Sequence, residues 1–97
     1  MSRIGYEERK GVYLDALTAY GTINQLIVAV EELSECQKEI CKFLRGCGDL
    51  EHLAEEVADA TIMLEQVRIM FDINDATCRH MDAKIERLKK RIEARNG

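Results

Sequence analysis

The chain has 97 residues with a formal net charge of −4, 33% charged and 46% hydrophobic residues, 5% aromatics and no proline. That is one domain, spanning 1–97, at a size where a single core is barely sufficient and association with further copies is expected. An acidic balance leaves no general polyanion-binding surface, so nucleic acid is not an expected partner, and no apolar run approaches the roughly 20 residues that a membrane-spanning helix needs.

Alanine, leucine, isoleucine, glutamate, lysine and arginine dominate, and without proline they predict an all-α protein. Tyr13, Leu17 and Tyr20 recur at helical spacing and predict a first helix over about Tyr6 to Tyr20, broken by Gly21. Thr22 followed by Gln25 matches a capping box. It opens a second helix reaching about Leu44, with Leu26, Val30, Leu33, Ile40 and Leu44 as its apolar stripe and Gly46 and Gly48 as its end.

Asp49 is a suitable N-cap for a third helix lined on one side by Leu50, Leu53, Val57, Leu64, Val67 and Phe71. From Ala60 onward, apolar residues occur nearly all round this helix, which predicts enclosure on several faces and a place at a subunit interface. Asn74 or Asp75 caps a fourth helix, where Met81, Ile85, Leu88 and Ile92 form a heptad-like seam among lysines and arginines. The expected architecture is a small helical subunit that forms a four-helix-bundle type core by oligomerisation, as a homodimer or homotetramer.

Cys36, Cys41, Cys47 and Cys78 read as reduced, small apolar side chains, and their spacing with His52 lacks the CxxC pairs of a zinc site. The first residues show no signal-peptide core, and the expected location is cytoplasmic. His52 reads as an exposed first-turn histidine. No glycine-rich phosphate loop and no serine, histidine and acid combination stands out.

The carboxylates are the distinctive feature. Glu31-Glu32-Leu33-Ser34-Glu35 and Glu55-Glu56-Val57-Ala58-Asp59 each lie in helix-patterned sequence. Residues three apart share a helix face, so Glu32 with Glu35, and Glu56 with Asp59, form two pincers that converge if the helices pack side by side. Glu31, Glu35 and Glu39 follow one another at i,i+4, a run of like charges that costs a few tenths of a kcal/mol per pair unless a cation offsets it. Asp59 sits in apolar sequence, where an unpaired carboxylate is costly. All-oxygen donors of this hardness suit Mg²⁺, with Mn²⁺ as an alternative.

Glu31-Glu32-x-x-Glu35 followed by Glu56-x-x-Asp59 resembles the EExxE and ExxD signature of the MazG-like all-α nucleoside triphosphate pyrophosphohydrolases, a group related to dimeric dUTPases and phosphoribosyl-ATP pyrophosphatases. The resemblance runs from about Gln25 to Arg91. Asp82-x-Lys84-Ile85-x-Arg87 looks like a variant of the family's later Asn-x-Lys-Phe-x-x-Arg segment, with Asp82 for Asn and Ile85 for Phe.

The resemblance implies Mg²⁺-dependent hydrolysis of a nucleoside triphosphate between its α and β phosphates. By carry-over, Glu32, Glu35, Glu56 and Asp59 would be the metal ligands, Glu31 a candidate second-metal ligand or water-orienting base, and Glu35 a further candidate for activating the attacking water. Lys84 and Arg87 on the last helix, with Lys38 on the second, are the candidate phosphate-binding groups. Gln25 is a candidate hydrogen-bonding group for a base or ribose. The contrasting expectation is a non-enzymatic helical interaction module on the same scaffold.

Overall fold

The computed structural model describes residues 3–97, and among them there are four α-helices and no strand. They are α1 (Tyr6–Tyr20), α2 (Thr22–Leu44), α3 (Leu50–Met70) and α4 (Asn74–Asn96). None of these four helices is long and apolar enough to cross a membrane.

The breaks have local causes. Gly21 alone joins α1 to α2, at φ 86°, a left-handed value that a side chain resists, and its N–H still closes α1 by bonding the Leu17 carbonyl. Gly46, at φ 78°, ends α2 in a Schellman motif, with its own N–H on the Phe43 carbonyl and that of Cys47 on Lys42. A side chain on Gly48 would run into the Phe43 ring, so this loop is held closely against the end of α2. Asp49 then caps α3 as its sequence predicts, its Oδ1 accepting from the N–H groups of Glu51 and His52 at 2.9 and 3.3 Å.

α3 ends as α2 does, with the N–H of Asp72 on the Ile69 carbonyl and that of Ile73 on Arg68. Here the left-handed position, φ 51°, is held by Asp72, the only non-glycine residue with positive φ among those described.

Two expected caps are not used. The capping box at Thr22 is absent, because Gly21 is the N-cap and the Gln25 side chain turns away from the helix end to Gln66. Asn74 and Asp75 lie in the first turn of α4 rather than before it, and Ile73 occupies the N-cap position without a side-chain bond.

α2 and α3 form a closely packed antiparallel pair. Its register can be read from three polar meetings: Gln25 Nε2 donates to Gln66 Oε1 at 2.8 Å, Glu32 meets Asp59, and Glu39 meets His52. Each step of seven residues up α2 is matched by seven down α3, as in a coiled coil. Between these layers sit the buried Ala29, Ala60 and Met63.

α1 is fastened across α3 by one carboxylate. Glu65 accepts from Arg9 Nε and Nη2 at 3.1 and 3.0 Å and from the Tyr13 hydroxyl at 2.6 Å. Arg9 holds the Glu65 carboxyl below the usual range, while burial, and then the adjoining carboxylate, push the Tyr13 phenol up to about 12. Among the described helices α4 meets only α3, where Arg68 Nη2 approaches Cys78 Sγ at 3.2 Å.

The chain is more extended than its length requires. Its radius of gyration is 16.4 Å, against about 13 Å for a compact domain of 100 residues. Tyr13, Ala29, Ala60 and Met63 are the buried hydrophobic residues among those described.

The expected apolar stripe of α2 does not form the core of the protomer. Val30, Ile40 and Leu44 are exposed, at 65%, 49% and 84%, and the face turned to α3 carries Gln25, Ala29, Glu32, Cys36 and Glu39 instead. The second half of α3 is likewise not enclosed all round, since Ile62 and Leu64 remain exposed beside the buried Ala60 and Met63.

Two substitutions test these contacts. Gln66→Ala strands the buried Gln25 amide and is expected to cost about 1–3 kcal/mol in denaturant unfolding, whereas replacing both glutamines by leucine leaves no unpaired group and costs much less. Asp72→Gly removes left-handed strain and is expected to raise stability by up to about 1 kcal/mol on the same assay.

Candidate metal centre

The α2–α3 register brings two halves of an acidic cluster together. One carboxylate oxygen each from Glu32, Glu56 and Asp59 falls within a group whose members all lie within 4.8 Å of one another, and all three residues are half-buried. Glu56 Oε2 is shut off from solvent with no hydrogen-bond partner. A buried carboxylate oxygen in that position costs free energy unless a cation or a proton satisfies it.

The electrostatics agree with the geometry. Burial, followed by repulsion from Asp59 and Glu56, raises the Glu32 carboxyl above its ordinary range. Burial, followed by repulsion from Asp59 and Glu35, does the same for Glu56. Both groups resist ionisation because they are withdrawn from water and because the neighbouring groups are other acids. Three hard oxygen donors with no amine among them suit a divalent cation such as Mg²⁺ or Mn²⁺, which keeps its other positions for water or phosphate oxygens.

The remaining candidates fall in different places. Glu35 is exposed and outside the tight triad, but near enough to Glu56 to raise its carboxyl. Glu31 is exposed and adds to the repulsion felt by Glu32. Lys38 is exposed and acts on Glu39. Gln25 is 7% exposed, with its amide engaged by Gln66. Lys84 and Arg87 are exposed on α4, which makes no contact with α2.

Next to the triad lies a group whose arrangement the sequence leaves undetermined. Glu39 is 5% exposed, its Oε2 accepting from Lys42 Nζ at 2.7 Å and its Oε1 lying 3.7 Å from His52 Nδ1. The Lys42 bond holds the Glu39 carboxyl below its usual range. The available signal is the heptad: Glu39 lies seven residues after Glu32, and His52 seven before Asp59. The acidic seam therefore ends in a neutralised layer, and the uncompensated charge is concentrated at Glu32, Glu56 and Asp59.

An open groove of about 560 Å³ lies elsewhere, on the α1 side of α3, lined among others by Arg3, Ile4, Arg9, Ala58 and Ile62, and none of the three clustered acids borders it. Comparison of the chain with protein-family models, with curated proteins and with solved structures found no match.

The carboxyl shifts set the pH dependence of stability. Glu32 and Glu56, raised in the fold, contribute stability that is fully present below their unfolded values and is lost as pH rises through their folded ones; Glu39 and Glu65, lowered, contribute stability that is lost as pH falls. The cation-free protein is therefore expected to be most stable in mild acid. Glu32→Gln should flatten the decline on the alkaline side of the ordinary carboxylate range in denaturant melts, and an unchanged slope would contradict the raised carboxyl.

Proposed function

We propose that the chain is a divalent-cation-dependent nucleoside triphosphate pyrophosphohydrolase. The observation that carries this reading is the convergence of Glu32, Glu56 and Asp59 from two helices around the unpartnered Glu56 Oε2. The choice of a nucleotide rests on the likeness of the two acidic motifs to the MazG-like pyrophosphohydrolases.

Glu32, Glu56 and Asp59 would hold the cation, with Glu35 joining them by a side-chain movement. A bound Mg²⁺ supplies charge for the phosphate oxygens and lowers the pKa of a coordinated water. The chain's own part is to fix the donors on rigid helices. The Gln25–Gln66 layer sets the register on one side of the cluster, and the Glu39–Lys42–His52 layer closes the other side. Glu31 and Glu35, exposed on α2, would take a proton from an attacking water. Lys38, Lys84 and Arg87 would meet the polyphosphate, and Gln25 would serve a base or ribose only if its bond to Gln66 opened.

The exposed apolar residues of α2, α3 and α4 support assembly into a homodimer or homotetramer with a four-helix-bundle type core. The same surfaces favour a second reading, a non-enzymatic helical interaction module. A related pyrophosphatase acting on phosphoribosyl-ATP or a modified nucleotide is a variant of the first reading.

Pyrophosphate release from a panel of canonical and damaged nucleoside triphosphates, with Mg²⁺ or Mn²⁺, separates these readings. Glu32→Gln and Asp59→Asn are expected to abolish release while helicity is unchanged, and full activity in both would sink the assignment. Mg²⁺ at about 100 times its Kd should stabilise the wild type by roughly 2.7 kcal/mol and leave Asp59→Asn unaffected. An interaction module would show neither effect.

A further inference from the structure

Two surfaces of the protomer are unpartnered, and they are complementary. The first is α4. From Cys78 to Asn96 every residue is exposed, and Met81, Ile85, Leu88 and Ile92 form an apolar seam along one side, open at 52%, 62%, 43% and 51%. A helix of 23 residues is about 35 Å long, and the stability of such a helix comes mainly from packing an apolar face. Within its own chain α4 has only the end of α3 to pack against.

The second surface is the α2–α3 pair. Counted at about 100° per residue, Val30, Leu33 and Ile40 lie to one side of the α2 face that meets α3, and Val57, Leu64 and Phe71 to one side of the α3 face that meets α2. In an antiparallel pair those two sides coincide, and Glu65, which α1 grips, lies on the other flank of α3. The two stripes form one open apolar face.

Charge decides what covers it. α4 carries seven basic residues against four acidic ones, whereas α2 and α3 together carry nine acidic against three basic. Two α4 helices paired with each other would bring net positive charge onto net positive charge, and in parallel register Lys84 would face Lys89. Two α2–α3 pairs face to face would bring negative onto negative. Only the crossed arrangement sets opposite signs together.

We propose that α4 of one copy docks by its Met81–Ile85–Leu88–Ile92 seam on the open apolar face of the α2–α3 pair of a second copy, and that the exchange is reciprocal. Each α1, α2 and α3 is completed into a four-helix assembly by the partner copy's α4, and the two contacts close as a twofold dimer. Lys84 and Arg91, which share one flank of the seam, then reach the acidic pair from the other copy. On the pyrophosphohydrolase reading, the positive groups that the carboxylate cluster lacks within its own chain are supplied in this way.

The test measures mass and needs no turnover, so it stands or falls separately from the enzymatic reading. Ile85→Asp with Leu88→Asp spoils α4, and Val30→Asp with Val57→Asp spoils the receiving face; all four positions are exposed, and circular dichroism checks that helicity is retained. By sedimentation velocity the wild type is expected to be a dimer, and each variant alone to be a monomer. Mixing the two variants is expected to restore a heterodimer, because one of the two crossed contacts stays intact. Raising ionic strength from about 0.05 to 0.5 M is expected to weaken the wild-type dimer at least about tenfold.

A dimer that survives in the receiving-face variant would mean α4 pairing with α4, and one that survives in the α4 variant would mean pair against pair. Either result, a monomeric wild type, or a mixture that stays monomeric overturns the proposal.

Discussion

Antiparallel pairing of α2 with α3 determines where Glu32, Glu56 and Asp59 come to rest, and that pairing is held by polar groups on its inner face. Small residues such as Ala29 and Ala60 let the two backbones approach, while Gln25–Gln66 and Glu39–His52 mark the layers above and below the carboxylates. A buried amide pair contributes little net free energy when satisfied and costs much when broken, so it selects one register more than it stabilises the pair. Slipping the helices by one residue would strand both amides and separate Glu32 from Asp59. The acidic cluster is the middle layer of this seam, so register and site are specified by the same contacts.

α1 contributes nothing to the neutralisation of the carboxylates. Arg9 and Tyr13 of α1 are committed to Glu65, and Lys42 is committed to Glu39. Arg9 and Lys42 are thus already paired with other acids, and Glu32, Glu56 and Asp59 are left to repel one another. Such a cluster costs free energy for as long as nothing compensates its charge.

Much of this was legible in the sequence. Helix boundaries follow from glycine positions and from the Asp49 cap, because those signals act locally. The convergence of Glu32, Glu56 and Asp59 follows from helical spacing once two adjacent helices are assumed. The inner face of α2 was not legible in the same way. Its hydrophobic stripe of Val30, Ile40 and Leu44 has strong periodicity, and periodicity identifies an apolar face without identifying which neighbour covers it. Gln25 was misread for a related reason: a local capping box and a long-range amide pair use the same side chain, and sequence spacing reveals only the local choice. The Arg9–Glu65–Tyr13 knot joins residues more than fifty positions apart and left no pattern.

The five-residue connection between α2 and α3 has a consequence for the order in which the chain acquires structure. The contacts that build the seam join neighbouring helices, so little loop entropy is spent before they are rewarded, and chains with such local contacts fold in microseconds to milliseconds. α1, separated from α2 by Gly21 alone, can settle onto the completed hairpin by adjusting around a single residue. α4 has almost nothing within the chain to settle on. In a protomer without its partner, the α4 amides should exchange with solvent earliest, and that segment is the natural first point of proteolytic entry.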